Sequence, residues 1–165
     1  MVINVLKDKQ SGGKLNFNCE ENLNSDILLH PNCKFKGPVK VFGYYVINEK
    51  NKDIDVFADI AFETESLCDR CGKEILKSFD FKFKESFVIE NLDETSYSYN
   101  GEKINLDKAT EESIMANLPV QIVCKDKCKG LCPICGANLN EKKCKCKMTE
   151  DNPFLSLLDL KKIKK

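Results

Sequence analysis

Apolar and polar positions alternate with a period of two through the middle of the chain, and that alternation places a sheet. Ile54, Val56, Ala58, Ile60 and Phe62 share one face; Asp53, Asp55, Asp59 and Glu63 lie on the other, with Phe57 and Ala61 as exceptions. Downstream, Phe79, Phe81, Phe83, Phe87 and Ile89 alternate with Asp80, Lys82 and Lys84. The two runs predict an antiparallel hairpin turning over residues 67–73, with Cys68-Asp69-Arg70-Cys71-Gly72 at its tip. Residues 39–47 are mostly apolar on both faces and predict a buried strand, followed by a polar turn at 48–52. Near the start, Val2, Ile3, Val5 and Leu6 predict a sheet edge. Ser11, Gly12 and Gly13 break it, and Leu15 and Phe17 resume it. Residues 23–30 are too short to assign, and Pro31 ends them.

After the hairpin the pattern changes. Residues 85–113 carry eight acids (Glu85, Glu90, Asp93, Glu94, Glu102, Asp107, Glu111, Glu112) against two lysines. Residues 91–101 read as an exposed loop. Asp107 is a plausible N-cap for a helix over about 107–118, with Ile114, Met115 and Leu118 facing the core and Pro119 stopping it. Val120, Ile122 and Val123 predict a short strand. Phe154, Leu155, Leu157, Leu158, Leu160 and Ile163 predict a short terminal helix with lysines at its end.

Together these elements predict an α+β fold: a twisted, mostly antiparallel sheet, with barrel-like closure an option, a packed helix, a C-terminal zinc-knuckle segment and a short terminal helix. The expected division is a β-rich domain over 1–123 and a metal-binding segment over 124–165. With 42% hydrophobic and 32% charged residues, the 165-residue chain has an ordinary globular balance. Its formal charge is zero, so no global basic field drives nucleic-acid binding. No apolar run approaches the ~18 residues of a membrane span, and the start lacks the pattern of a secretory signal. A cytoplasmic location is the expectation.

Ten cysteines change the picture. Cys68 and Cys71 form C-x2-C. Cys124, Cys128, Cys132, Cys135, Cys144 and Cys146 form C-x3-C-x3-C-x2-C-x8-C-x-C. In a cytosolic chain such spacings point to metal rather than disulfides. Thiolates two or three residues apart on a tight turn can share one tetrahedral ion, and Gly72 and Gly136 directly follow a cysteine where the backbone must curl. We divide the eight into two closed zinc sites, Cys132, Cys135, Cys144 and Cys146 in one, and Cys68, Cys71, Cys124 and Cys128 in the other. The competing division puts all six C-terminal cysteines in one cluster and leaves Cys68 and Cys71 as a redox dithiol. Iron–sulfur ligation is a further option, since sulfur sets alone do not distinguish the metals. Cys19 and Cys33 have no partner at ligand spacing and read as free thiols. His30 is the only histidine, which nearly excludes histidine-based acid/base chemistry. The row Phe79, Phe81 and Phe83 could stack bases but reads better as a core face.

Residues 124–147 hold seven lysines, Lys125, Lys127, Lys129, Lys142, Lys143, Lys145 and Lys147, against Asp126 and Glu141. Arg70 is the only arginine and lies inside the first C-x2-C. These eight residues are the candidate contacts to RNA or a partner. Each can equally be an ordinary solvated residue.

The order of motifs resembles a known family. Cys68-Asp69-Arg70-Cys71-Gly72 is followed by an acidic loop, then the Leu118-Pro119 step. The run CKDKCKGLCPICGANLN over 124–140, Cys144-Lys145-Cys146, and Asn152-Pro153-Phe154 with a leucine-rich, lysine-ended tail complete it. The chain from about residue 34 onward is similar to the YceD-like family, the large ribosomal RNA subunit accumulation proteins of bacteria and plastids. The C-terminal cysteines resemble its Gram-positive form. The resemblance implies a non-enzymatic role in ribosome assembly, and it favours the two-site division of ligands. The expected partner is large-subunit ribosomal RNA or a precursor particle, with no membrane and no small-molecule substrate. An alternative is an adaptor whose acidic stretch docks a basic ribosomal protein; a dithiol redox protein is a weaker one.

Overall fold

The computed structural model describes residues 1–5, 13–89 and 97–146. In chain order its elements are β1 (Val2–Asn4), β2 (Lys14–Glu21), a 3-10 turn (Ser25–Leu28), β3 (Cys33–Phe35), β4 (Val39–Ile47), β5 (Ile54–Leu67), β6 (Glu74–Val88), β7 (Tyr97–Ser98), β8 (Lys103–Asn105) and α1 (Asp107–Asn117). The chain divides into two compact units. The first is Met1–Leu67 with Glu74–Ile122 and contains every one of these elements; the second is Cys68–Lys73 with the chain from Val123 onward.

The first unit is built on the hairpin of β5 and β6, which pair antiparallel from Ile54↔Phe87 to Leu67↔Glu74. The period-two pattern explains it. Ile54, Val56, Ala58, Ile60 and Phe62 are buried on one face, as are Phe79, Phe83 and Phe87 across from them. The other edge of β5 is shared. β4 takes Ile54 to Ala61 and β3 takes Thr64 to Ser66. Gly37, at φ +89, and Pro38, which has no N–H to donate, separate the two strands. β2 pairs with β4, and β1 pairs with β8 in a separate two-stranded sheet. The core gathers Val39, Val41, Tyr45, Ile60, Phe87, Ile104, Leu106, Ile114 and Ile122. Phe62 packs edge-on to Phe35 and tilted on Phe79, so the phenylalanine row is core.

Several expectations need correction. The sheet is open, not a barrel: its order is β2-β4-β5-β6-β7, and β2 and β7 do not meet. Closure fails because β7 gives only two residues, pairing parallel with Phe87 and Val88. The loop expected over 91–101 contains β7, and Tyr99 is buried with its hydroxyl donating to the Lys52 carbonyl. Ile89 is exposed. The helix starts with Asp107 as its first residue and buried Leu106 at the cap. Asp107 does not cap it because its carboxylate pairs with the Met1 ammonium instead. Met115 faces solvent, since the buried stripe of the short helix is Ala109, Thr110 and Ile114. No strand forms at 120–123: Val120 is 94% exposed and only Ile122 is fully buried. The terminal helix expected from Phe154 onward lies outside the described residues.

Gly43 lies on β4 against the backbone of β5, with no room for a side chain. An added Cβ would stand 2.1 Å from the Phe57 carbonyl oxygen and 2.6 Å from the Ala58 Cα, both backbone atoms that cannot swing aside. Gly43→Ala is therefore expected to destabilise the fold by about 3 kcal/mol, measured as a lower urea midpoint. An unchanged midpoint would contradict this packing.

Candidate metal centres

Both knuckles of the second unit fold the same way, and the sequence shows why. In the first, the Gly72 N–H donates to the Cys68 carbonyl at 2.8 Å, and the Cys68 N–H donates to the Lys73 carbonyl at 2.8 Å. In the second, Gly136 donates to Cys132 at 2.9 Å and Cys132 to Ala137 at 2.8 Å. Each turn needs a left-handed residue after its second cysteine, and Gly72 and Gly136 both supply φ +67. The turn aims backbone N–H groups at the leading sulfur: those of Arg70 and Cys71 at Cys68, and those of Ile134 and Cys135 at Cys132.

The structure gathers the eight cysteines into two quartets. Cys68, Cys71, Cys124 and Cys128 form one, and Cys132, Cys135, Cys144 and Cys146 the other, with every sulfur within 4.8 Å of the others in its group. In the first quartet Cys68 Sγ lies 3.8 Å from Cys128 Sγ, and Cys71 Sγ lies 3.8 Å from Cys124 Sγ. A tetrahedral ion bound to sulfur at about 2.3 Å sets its ligands about 3.8 Å apart. A disulfide would need about 2 Å, and none of the ten cysteines is disulfide-bonded. The donor set therefore fits a four-sulfur ion at each place. The first quartet is largely buried; the second has Cys135 and Cys146 exposed. Cys19 and Cys33 belong to neither.

Without a cation, the four thiols of a quartet push each other's ionisation apart. Burial alone would raise Cys68, but the N–H groups of Cys124, Arg70 and Cys71 outweigh it and bring Cys68 down to about 6. Burial likewise opposes Cys128, which the Gly130 N–H and the Asn140 amide nevertheless lower. The Lys73 N–H favours the Cys71 thiolate, yet burial and the bonds that Cys71 gives to Cys68 and Cys128 raise it. Burial, then contact with Cys128, Cys68 and Cys71, pushes Cys124 to about 12. The second quartet repeats the split. The Cys135 and Ile134 N–H groups lead in bringing Cys132 down to about 6, while the bond to Cys135, then burial, pushes Cys146 to about 12. A divalent ion at the centre favours the thiolate at every position and removes the conflict.

Three side-chain and backbone features brace the first quartet. Asn140 Nδ2 donates to Cys128 Sγ at 3.3 Å and to Asn138 Oδ1 at 2.9 Å, while its Oδ1 accepts from the Lys129 N–H at 2.9 Å. Arg70 Nη1 donates to the Cys128 carbonyl at 3.3 Å, and the Leu131 N–H donates to the Arg70 carbonyl at 3.1 Å. Gly130, at φ +72, lets the two segments meet: a Cβ there would sit 2.9 Å from the Arg70 carbonyl oxygen. Sequence reasoning missed Asn140, because an asparagine beside Leu139 in a polar run looks like an ordinary turn residue. Its signal was its place inside the cysteine run.

Among the RNA or partner candidates, Arg70, Lys125, Lys127, Lys129, Lys142, Lys143 and Lys145 are exposed. Lys147 lies outside the described residues. Arg70 thus has a positioning job in addition to any surface role.

A family model described as large ribosomal RNA subunit accumulation protein YceD matches residues 56–161, a span that contains both quartets. The chain belongs to the YceD family. A YceD relative from Arabidopsis thaliana, described as "Large ribosomal RNA subunit accumulation protein YCED homolog 1, chloroplastic", is 36% identical over 44 residues. That segment covers 27% of this chain and 14% of the relative. No solved structure matches the chain.

Within this YceD chain, the Asn140 amide is the one side chain outside the cysteines that donates to a quartet sulfur among the described residues. Replacing it with alanine is expected to speed removal of one metal equivalent by a chelator about tenfold, leaving the other equivalent unaffected. Equal release rates in the two proteins would contradict the role.

Proposed function

We propose that this chain supports accumulation of large-subunit ribosomal RNA as a binding protein rather than an enzyme, acting in the cytoplasm through a lysine-rich surface held by two zinc ions. The observation that carries the reading is the family match across both quartets. Cys68, Cys71, Cys124 and Cys128 would hold one zinc; Cys132, Cys135, Cys144 and Cys146 would hold the other. Four sulfurs fill a tetrahedral ion's coordination, so each site is structural and leaves no open position for water. The zinc would supply the cross-links that so short a segment cannot obtain from a hydrophobic core.

Electrostatics shape how such a surface would act. Among its described residues the second unit has eight basic residues against three acids. Each zinc with four thiolates carries two net negative charges, which offsets most of that excess. Long-range steering is therefore weak, and binding rests on close contacts by exposed lysines such as Lys125, Lys127, Lys142 and Lys143. Fitting partners are large-subunit ribosomal RNA or a precursor particle. Among the described residues no helix is long and apolar enough to cross a membrane.

Replacing Lys125, Lys127, Lys142 and Lys143 together with glutamate is expected to abolish co-sedimentation with large-subunit precursor particles while metal content stays unchanged. On single-stranded RNA, the slope of log affinity against log salt should fall by about 3. Association that persists at normal strength would overturn the proposal.

A further inference from the structure

The edge of β6 that faces away from β5 is open over most of its length. β7 occupies only Phe87 and Val88, and among the described residues no strand pairs with the edge from Glu74 to Ser86. Three hydrogen bonds fix which backbone groups face outward. The Lys77 carbonyl accepts from the Thr64 hydroxyl on β5 at 3.3 Å. The Glu63 carbonyl, opposite Ser78, points the other way, to the Lys36 N–H at 2.8 Å. The Val88 carbonyl accepts from the Tyr99 N–H at 2.9 Å, beyond β6. Odd-numbered residues of β6 therefore bond to β5, and even-numbered residues offer their N–H and C=O to the open side. The even-numbered side chains are exposed up to Ser86, and the odd-numbered ones turn toward the core.

This edge is complementary to itself. We propose that it pairs with the same edge of a second copy of the chain, antiparallel about a two-fold axis at Phe81, so that one sheet runs through both copies. In that register Asp80 of each copy stands opposite Lys82 of the other, in a pair that exchanges backbone hydrogen bonds. Ser78 faces Lys84, and Leu76 faces Ser86. On the core side Phe79 faces Phe83, Lys77 faces Glu85, and Phe81 meets its own counterpart. Every charged residue meets an opposite or neutral one, and aromatic meets aromatic, the pairings that stabilise an antiparallel ladder. Sliding one copy by two residues puts Asp80 against Asp80 or Lys82 against Lys82, which selects against those registers. Residues 76–86 pair in each copy, about 37 Å of strand at ~3.4 Å per residue. Lysines on an edge ordinarily discourage pairing with foreign strands; here Asp80 between Ser78 and Lys82 makes an exception for the chain's own copy. The interface is isologous, so it closes at a dimer and does not propagate.

The test is sedimentation equilibrium of the full metal-loaded chain at low salt, on the wild type, Asp80→Lys, Lys82→Asp and the double variant. Each single substitution creates two like-charge pairs across the axis. It is expected to weaken dimerisation about tenfold or more, and the double variant restores it. Both side chains are exposed, so the fold should be retained, which a thermal melt by circular dichroism checks. A wild-type chain that stays monomeric to about 200 μM overturns the proposal. So does a dimer that ignores both single substitutions, or one that the double variant does not restore.

Discussion

Four sulfurs from two distant stretches of chain converge on one point, and the second unit depends on that convergence. Cys68 and Cys128 are 60 residues apart, and Cys71 and Cys124 are 53 apart, yet each pair of sulfurs lies 3.8 Å apart. Bringing chain segments together over such separations carries an entropic cost. Little apolar surface offsets it: among the described residues, Val123 is the one partly buried aliphatic side chain packed against this cysteine cluster. Coordination of one metal ion by the four sulfurs would be able to do so. It would explain why a hairpin turn, Cys68–Lys73, groups with residues 123 onward rather than with the strands on either side of it.

In both knuckles the backbone is arranged as a cation site would require. Each turn directs N–H groups at its leading sulfur and needs one glycine to do so. The same fixed dipoles that hold Cys68 and Cys132 down would stabilise thiolates around a metal. The quartets differ in surroundings. Asn140, Arg70 and Gly130 brace the first, while the second leaves two of its four cysteines exposed. The first therefore resembles a structural staple, and the second is the more accessible to solvent.

Much of this was legible from the residues, for identifiable reasons. A half-buried strand writes its period into sequence, so β5 and β6 and their turn were visible from the Ile54 to Phe62 and Phe79 to Phe87 alternations. Cysteine spacing exposed the knuckles, and sorting by knuckle gives the two quartets that the structure gathers. What failed were features set by distant partners. Asp107 looked like a cap, but the Met1 ammonium, unknown to local pattern, takes its carboxylate. Val120 looked like strand, but among the described residues 120–123 form none: Val120 is exposed, and only Ile122 is fully buried in the core. β7 is two residues long and parallel, too short to leave a period in an acidic stretch. Barrel closure depended on β2 and β7 meeting, which no local pattern reports.

Two separate quartets should each bind metal without the other. The direct measurement is metal content per chain by elemental mass spectrometry, after purification without added metal. It compares the wild type, the double variant Cys68→Ser with Cys71→Ser, and the double variant Cys144→Ser with Cys146→Ser. Two zinc ions in the wild type and about one in each double variant is the predicted result. Two ions retained after loss of Cys68 and Cys71, or none left in either double variant, would contradict it.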